Sequence, residues 1–327
     1  LEFSCEVFPQ VEIGNILFFS NTHESLYDVL LLANLDNSTK IGKQEYFSKT
    51  EQRYYGTGIW EHKGGIASMI IALQALKYTR LLKKVKVGVL LTSDDSLQGA
   101  ASKTIIKQKS SQSKNILGLH GAFLNGGIVT SRSGSAVYKC SMNLRKTDNA
   151  INVSKAISSF TKLITQWSDL SNIEKGLVVS PGNVSINSNI TEPYAHAETV
   201  LSIRFNYNNS IVDIDSKIKK LLPSKKIETF QYQFEGGLRR PAMEYTDKVN
   251  LLWEKISSIA RQLDIRLQKE HRWSSADIAF ADQDKHIIDG LGPIGIKEFN
   301  KSEYILKHSL IERASLLSMI INELKSN

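Results

Sequence analysis

No stretch of this 327-residue chain stays apolar for the roughly 20 residues a membrane-spanning helix requires, so no such helix is expected within it. Cysteine is nearly absent. Cys5 and Cys140 are too few for a disulfide framework, and neither sits in a metal-type cluster. The expected setting is therefore a reducing, cytoplasmic one. Leu1-Glu2-Phe3 shows neither an initiator Met nor a signal-peptide pattern, which leaves room for a targeting segment ahead of it. Internal repeats and low-complexity linkers are also missing.

What is present supports a packed, layered fold. Hydrophobic residues make up 41% and charged residues 23%, enough for a sizeable core and too apolar for global disorder. At roughly 150 residues per domain, the length predicts about two domains. Lys and Arg number 41 against 33 Asp and Glu, and the net charge of +8 permits weak polyanion binding without demanding it. Apolar runs at 16–19, 85–91, 116–119 and 286–288 read as buried strands. Ile66, Met69, Ile70, Leu73 and Leu76 recur at helical spacing, as do Leu310, Ile311, Ala314, Leu317, Ile321 and Leu324. Strands alternating with helices predict a layered α/β domain with a mostly parallel sheet.

The middle of the chain has a different rhythm. Ala136, Tyr138, Cys140, Met142 and Leu144 alternate with polar residues, as on a half-buried strand. Asp148 or Asn149 can cap a helix with Val153, Ala156, Ile157, Phe160, Leu163, Ile164 and Trp167 on one face. Strands are expected at 177–180, 199–205 and 227–234. A second helix carries Val212, Ile214, Ile218, Leu221 and Leu222 and stops at Pro223. The order β-α-β-β-α-β predicts a compact inserted domain over 136–235, between 1–135 and 236–327.

Two segments carry chemistry. Gly56-Thr57-Gly58-Ile59-Trp60-Glu61-His62-Lys63-Gly64-Gly65 sets an acidic residue in a glycine-rich turn before a helix. Thr92-Ser93-Asp94-Asp95-Ser96 follows an apolar strand and opens another helix. Acidic residues at the carboxyl ends of strands in an open α/β sheet lie where such sheets place their sites. They suit a divalent metal or a general base, or else simply cap the next helix.

Together with Gly182-Asn183-Val184-Ser185, Arg240-Pro241, Asp289-Gly290-Leu291-Gly292-Pro293 and Glu303-Tyr304, these segments resemble the aminoacylase/glutamate carboxypeptidase family of co-catalytic zinc exopeptidases. The resemblance implies a catalytic-type α/β domain with an inserted lid and dimerisation domain. It also implies two zinc ions held by His, Asp, Glu, Asp/Glu and His. The first ligand, in a His-x-Asp segment after the first core strand, is expected at Asn21, with His23 in place of the Asp. The bridging Asp falls at Glu61, the general base at Asp95, the next Glu at Ser96, the following acid at His120, and the last His at Glu298 or Phe299. Substrate contacts fall at Asn183, Arg240 and Asp277. The family's lid histidine has no counterpart in 145–150.

An amide at Asn21 and a hydroxyl at Ser96 are poor zinc ligands, so a dinuclear site is not expected. Glu61, His120, Glu298 and His23 remain as metal candidates. With Asp95 they make either one weak site or a hydrogen-bonded cluster with His120 or Lys63 near the carboxylates. His62, His196, His271, His286 and His308 read as surface or packing residues. The leading expectation is a metal-free binding or assembly protein with no cofactor. The alternative is a hydrolase of N-acyl amino acids or small peptides using one rearranged zinc. A homodimer through the inserted domain is expected, with 195–205 as the pairing edge. Lys83-Lys84, Lys219-Lys220 and Lys225-Lys226 read as solvated faces, so nucleic acid is not an expected partner.

Overall fold

The computed structural model describes residues 1–11, 13–37, 39, 42–144, 150–191, 193–223, 230–297 and 303–325. In chain order the elements begin β1 (Ser4–Phe8), β2 (Ile16–Ser20), β3 (Tyr27–Asn34), β4 (Ser48–Lys49), β5 (Arg53–Tyr55), α1 (Gly64–Tyr78), β6 (Val87–Thr92), α2 (Lys103–Ser111), β7 (Ser113–Gly118), β8 (Gly121–Ala122) and β9 (Ile128–Arg132). Next come β10 (Gly134–Leu144), α3 (Ala150–Ser168), β11 (Leu177–Asn189), β12 (Tyr194–Phe205), α4 (Asn208–Leu221) and β13 (Phe230–Arg240). The chain closes with α5 (Asp247–Gln262), β14 (Lys269–Arg272), β15 (His286–Ile288), β16 (Gly292–Lys297), β17 (Glu303–Leu306) and α6 (Lys307–Glu323).

Two compact units result. One comprises 1–131, 245–272 and 276–327; the other comprises 132–244 and 273–275. A boundary at 235 would cut β13 in the middle, so the first unit resumes at Tyr245 rather than at residue 236.

The first unit is built on a six-stranded sheet of order β1-β2-β6-β3-β7-β15. β3 pairs parallel with β6 and β7, and β15 pairs parallel with β7; β2 runs antiparallel to β6. All eight residues of β3 are buried, because helices cover both faces of a parallel sheet. Val29, Leu31 and Ala33 of β3 join Val87, Val89 and Leu91 of β6 in one core with apolar residues of α1, α5 and α6. Ile70 and Ile311, read as core from their spacing, are 41% and 57% exposed and flank the buried stripes of their helices. Smaller sheets of order β4-β5-β17-β16-β8 and β14-β9 complete the unit.

The second unit has the expected β-α-β-β-α-β order, with its four strands antiparallel in the order β11-β12-β10-β13. Ala136, Tyr138, Cys140, Met142 and Leu144 form the buried face of β10 and pack on Val153, Ala156, Phe160, Leu163 and Trp167 of α3. Val212 is exposed, so Ile214 and Ile218 carry the buried stripe of α4. β12 is paired on both sides, by β10 and β11, and cannot serve as a dimerisation edge; the edges are β11 and β13. The capping positions Asp148 and Asn149 and the Lys225-Lys226 pair lie outside the described residues. Among the described residues no helix is long and apolar enough to cross a membrane.

Candidate functional site

The carboxyl ends of the parallel strands β3, β6 and β7 lie side by side, and the residues that follow them form the candidate site. β3 ends at Asn34. Its buried Nδ2 donates to Thr92 Oγ1 at 2.9 Å and to Asp277 Oδ2 at 3.0 Å. Two residues on, Asp36 accepts the backbone N–H groups of Asp95 at 3.2 Å and Ser96 at 2.9 Å, which fixes the turn after β6. The buried Asp94 accepts the N–H groups of Ala101 and Ser102, at 2.8 and 2.9 Å, and so anchors the approach to α2. Asp95 places Oδ2 3.8 Å from His62 Nε2. β7 leads into His120, whose Nδ1 is 3.0 Å from Oδ2 of the fully buried Asp289.

The glycine-rich turn supplies the opposite wall. Gly58 has φ 74°, a left-handed conformation that glycine adopts without strain. The next five residues, Ile59–Lys63, form a π-helical turn in which the N–H groups of His62 and Lys63 both reach Gly58 O, at 3.1 and 2.8 Å. A π turn takes up one more residue than an α turn and re-aims the side chains around it. His62 is thereby buried, its ring centroid 5.5 Å from that of His120. Glu61 is turned to Lys297, with Oε2 3.1 Å from Nζ. Glu303 accepts the N–H groups of Gly58 at 2.7 Å, Trp60 at 2.6 Å and Glu61 at 2.7 Å.

Burial holds the His62 imidazole down to about 4, and the neighbouring His120 pushes the same way, against the pull of Asp95, Glu61 and Asp36. His62 is therefore neutral at neutral pH. The Glu303 carboxyl is raised, chiefly by burial, although the backbone donors of the turn favour its charged form.

Of the expected residues, Asp95 and His120 both lie beside His62, while Glu61 of the same turn is directed at Lys297. Asn21 and His23 lie elsewhere. β2 is antiparallel to β6, so the residues after β2 lie at the amino end of β6, at the far end of the sheet. Asn21 there bonds Leu82 O, Val85 O and the N–H of Val87, while His23 is exposed. Asn34-Leu35-Asp36, at the end of the first parallel strand, has the x-x-Asp spacing of the His-x-Asp segment with an amide in the first place. Ser96 is exposed, and Lys63 Nζ donates to Thr57 O at 2.6 Å rather than to a carboxylate. Asp277 is fully buried against Asn34. Glu298 and Phe299 lie outside the described residues.

Asp36, His62, Asp289 and Lys297 were not read as site residues. Asp289 stood in a recognised motif. Asp36 could have been found from the apolar run 29–33 that precedes it, whereas nothing in the sequence marks a π turn.

Asn183 and Arg240 belong to the second unit. Asn183 sits at a bulge of β11 with φ 50° and lines a cavity of about 770 Å³ on the open face of the sheet, beside Lys139, Glu198 and Gln233. Arg240 is buried near Arg204, whose guanidinium pKa is lowered by burial and then by the Arg240 charge. Arg204 Nη1 donates to Ser275 Oγ at 3.1 Å, and the buried Arg132 donates to Ser274 O at 3.1 Å. A group of partly buried guanidinium ions is suited to a carboxylate or phosphate.

The model of peptidase family M20/M25/M40 matches residues 27–323. Among solved structures, the aminopeptidase PepT of Bacillus cereus superposes with a TM-score of 0.77 at 17% identity, over 98% of this chain and 89% of that one. A tripeptidase of Staphylococcus aureus gives 0.72 at 15% identity, over 95% and 84%. A dinuclear metal binding peptidase from the M20 family of Bacillus subtilis gives 0.69 at 12% identity, over 98% and 88%. At these identities the likeness establishes the fold. No curated protein sequence matches the chain significantly.

A pair of ions needs a bridging carboxylate and further imidazole or carboxylate donors around each metal. Asn34 offers a neutral amide, whose Nδ2 is held by Thr92 and Asp277 and whose buried, unpartnered Oδ1 is a poor zinc donor beside an imidazole, and Glu61 is engaged by Lys297. Among the described residues no three His, Cys, Asp or Glu side chains are grouped so as to hold an ion. Among the described residues the donor set does not fit a two-metal centre.

Proposed function

Because this chain belongs to peptidase family M20/M25/M40, we propose that it uses the family fold to bind a small peptide or acyl amino acid without hydrolysing it. The observation that carries this reading is Asn34, a neutral amide turned to Asp277 at the strand end where the family resemblance calls for a zinc-bound imidazole. Without the ions a site of this kind lacks both its activated water and its Lewis acid, and Asp95 alone cannot replace a metal-bound hydroxide. The guanidinium cluster of the second unit supports a ligand bearing a carboxylate. Calorimetric titration with di- and tripeptides and N-acetyl amino acids tests the reading, coupled to chromatography of the same mixtures. Saturable binding with no released amino acid is expected. Zinc-dependent hydrolysis abolished by Glu61→Ala ends the reading. We also infer a homodimer through the inserted domain, paired along β11 or β13, which a monomeric mass by light scattering would contradict.

A second reading is favoured by the convergence of His62 on His120 and Asp95. It is a hydrolase in which these three side chains, not grouped to hold an ion as they stand, re-orient around one zinc, in keeping with similar structures described as an aminopeptidase and a tripeptidase. It predicts one zinc per chain that is lost in both His62→Ala and His120→Ala.

A further inference from the structure

β16 and β17 are antiparallel neighbours, and Lys297 stands directly opposite Glu303. Two residues before Lys297, and so on the same face of β16, Gly295 leaves the space that Trp60 fills; a Cβ there would come within 2.9 Å of the indole. The end of this hairpin thus grips the glycine-rich turn twice. Glu303 takes three backbone N–H groups of the turn, and Lys297 takes the side chain of Glu61. Both grips share an electrostatic problem. Glu61 and Glu303 repel each other, which adds to the upward push on the Glu303 carboxyl. Asp95 and Asp36 add further negative charge around His62, and that imidazole is neutral. A cluster of carboxylates around a neutral imidazole ordinarily calls for a cation.

We propose that Lys297 is that cation: its ammonium group takes over at Glu61 the charge that a divalent metal supplies in a two-metal peptidase site, and so keeps the turn assembled without metal. The inference rests on the metal-free reading above and adds the residue responsible. It makes the loss of metal binding a consequence of a side chain gained as well as of ligands lost at Asn34 and Ser96. Removing the ammonium frees Glu61 and leaves its carboxylate without its counter-ion beside His62. A divalent ion then becomes the available counter-charge.

The test compares zinc binding by the wild-type chain, Lys297→Met and the double variant Lys297→Met/Glu61→Gln, by calorimetry and by elemental analysis after dialysis. The expected result is no stoichiometric zinc in the wild type, a gain of at least about 100-fold in zinc affinity in Lys297→Met, and loss of that gain in the double variant. A hundredfold is two decades of affinity, a modest return for one released carboxylate ligand. Absence of zinc from both the wild type and Lys297→Met overturns this inference and leaves the metal-free reading standing. Stoichiometric zinc in the wild type overturns both.

Should Lys297→Met fail to fold, labelling of the wild type and Glu61→Gln by an amine-reactive reagent reads the same pairing. Modification of Lys297 is expected to rise several-fold in Glu61→Gln. Equal modification of the two proteins overturns the inference.

Discussion

Asp289, with no solvent exposure, places its Oδ2 3.0 Å from His120 Nδ1 and accepts the Gly290 N–H at 2.7 Å through Oδ1. The carboxylate holds the proton of the imidazole on Nδ1 and sets the ring plane at the end of β7. Asp289→Asn leaves the shape and removes the charge, so it is expected to destabilise the fold by about 1.5–3 kcal/mol, the usual worth of a charge-assisted hydrogen bond. Urea unfolding at neutral pH measures this. An unchanged midpoint would remove the pair from the account.

His62 predicts a pH dependence. Its pKa is about 4 in the folded chain against 6.5 for the free side chain. Between these values the unfolded chain binds the proton more readily, so stability rises with pH from 4 to 6.5 and is complete above that. The contribution is about 3 kcal/mol at most. His62→Asn should flatten this part of the stability profile, measured by denaturant unfolding across pH 4–7. Equal slopes for the two proteins would show that His62 is solvated.

Glu303 accepts three backbone N–H groups of the glycine-rich turn. Glu303→Ala strands them and is expected to cost roughly 3 kcal/mol or more. Glu303→Gln keeps one acceptor oxygen and should fall between the two. Thermal melts give the ranking, and an Ala variant as stable as the Gln variant contradicts it.

Gly65 allows the start of α1 to approach the end of β7: a Cβ there would collide with the carbonyl oxygen of Leu119. Backbone cannot give way as a flexible side chain can, so Gly65→Ala is expected to lose at least about 3 kcal/mol. Soluble, wild-type-like Gly65→Ala protein would show that the helix and strand are less closely packed.

These residues also mark how far the sequence could be read. The inserted domain was legible because the strict alternation from Ala136 to Leu144 and the helical face from Val153 to Trp167 each admit one period. β3 was overlooked. Its run from Val29 to Ala33 has the unbroken apolar character of a strand buried on both faces, but it follows β2 closely, and β2 was taken as the first core strand. That choice carried the expected ligand position to Asn21, at the wrong end of an antiparallel pair, when the parallel strand ends at Asn34. Glu61 was placed in the right turn, but a motif gives residue order and not side-chain direction. Only the π turn explains why His62 faces His120 while Glu61 faces Lys297. β12 looked like an edge because alternation alone does not tell which strands pair on both sides.

The most direct test of the central claim is the zinc content of the wild-type chain, purified from zinc-replete medium and dialysed against metal-free buffer, with hydrolysis of di- and tripeptides assayed on the same sample. The account predicts zinc well below one ion per chain and no released amino acids. Two firmly bound ions per chain, with hydrolysis that disappears when they are chelated and returns when zinc is restored, would contradict it.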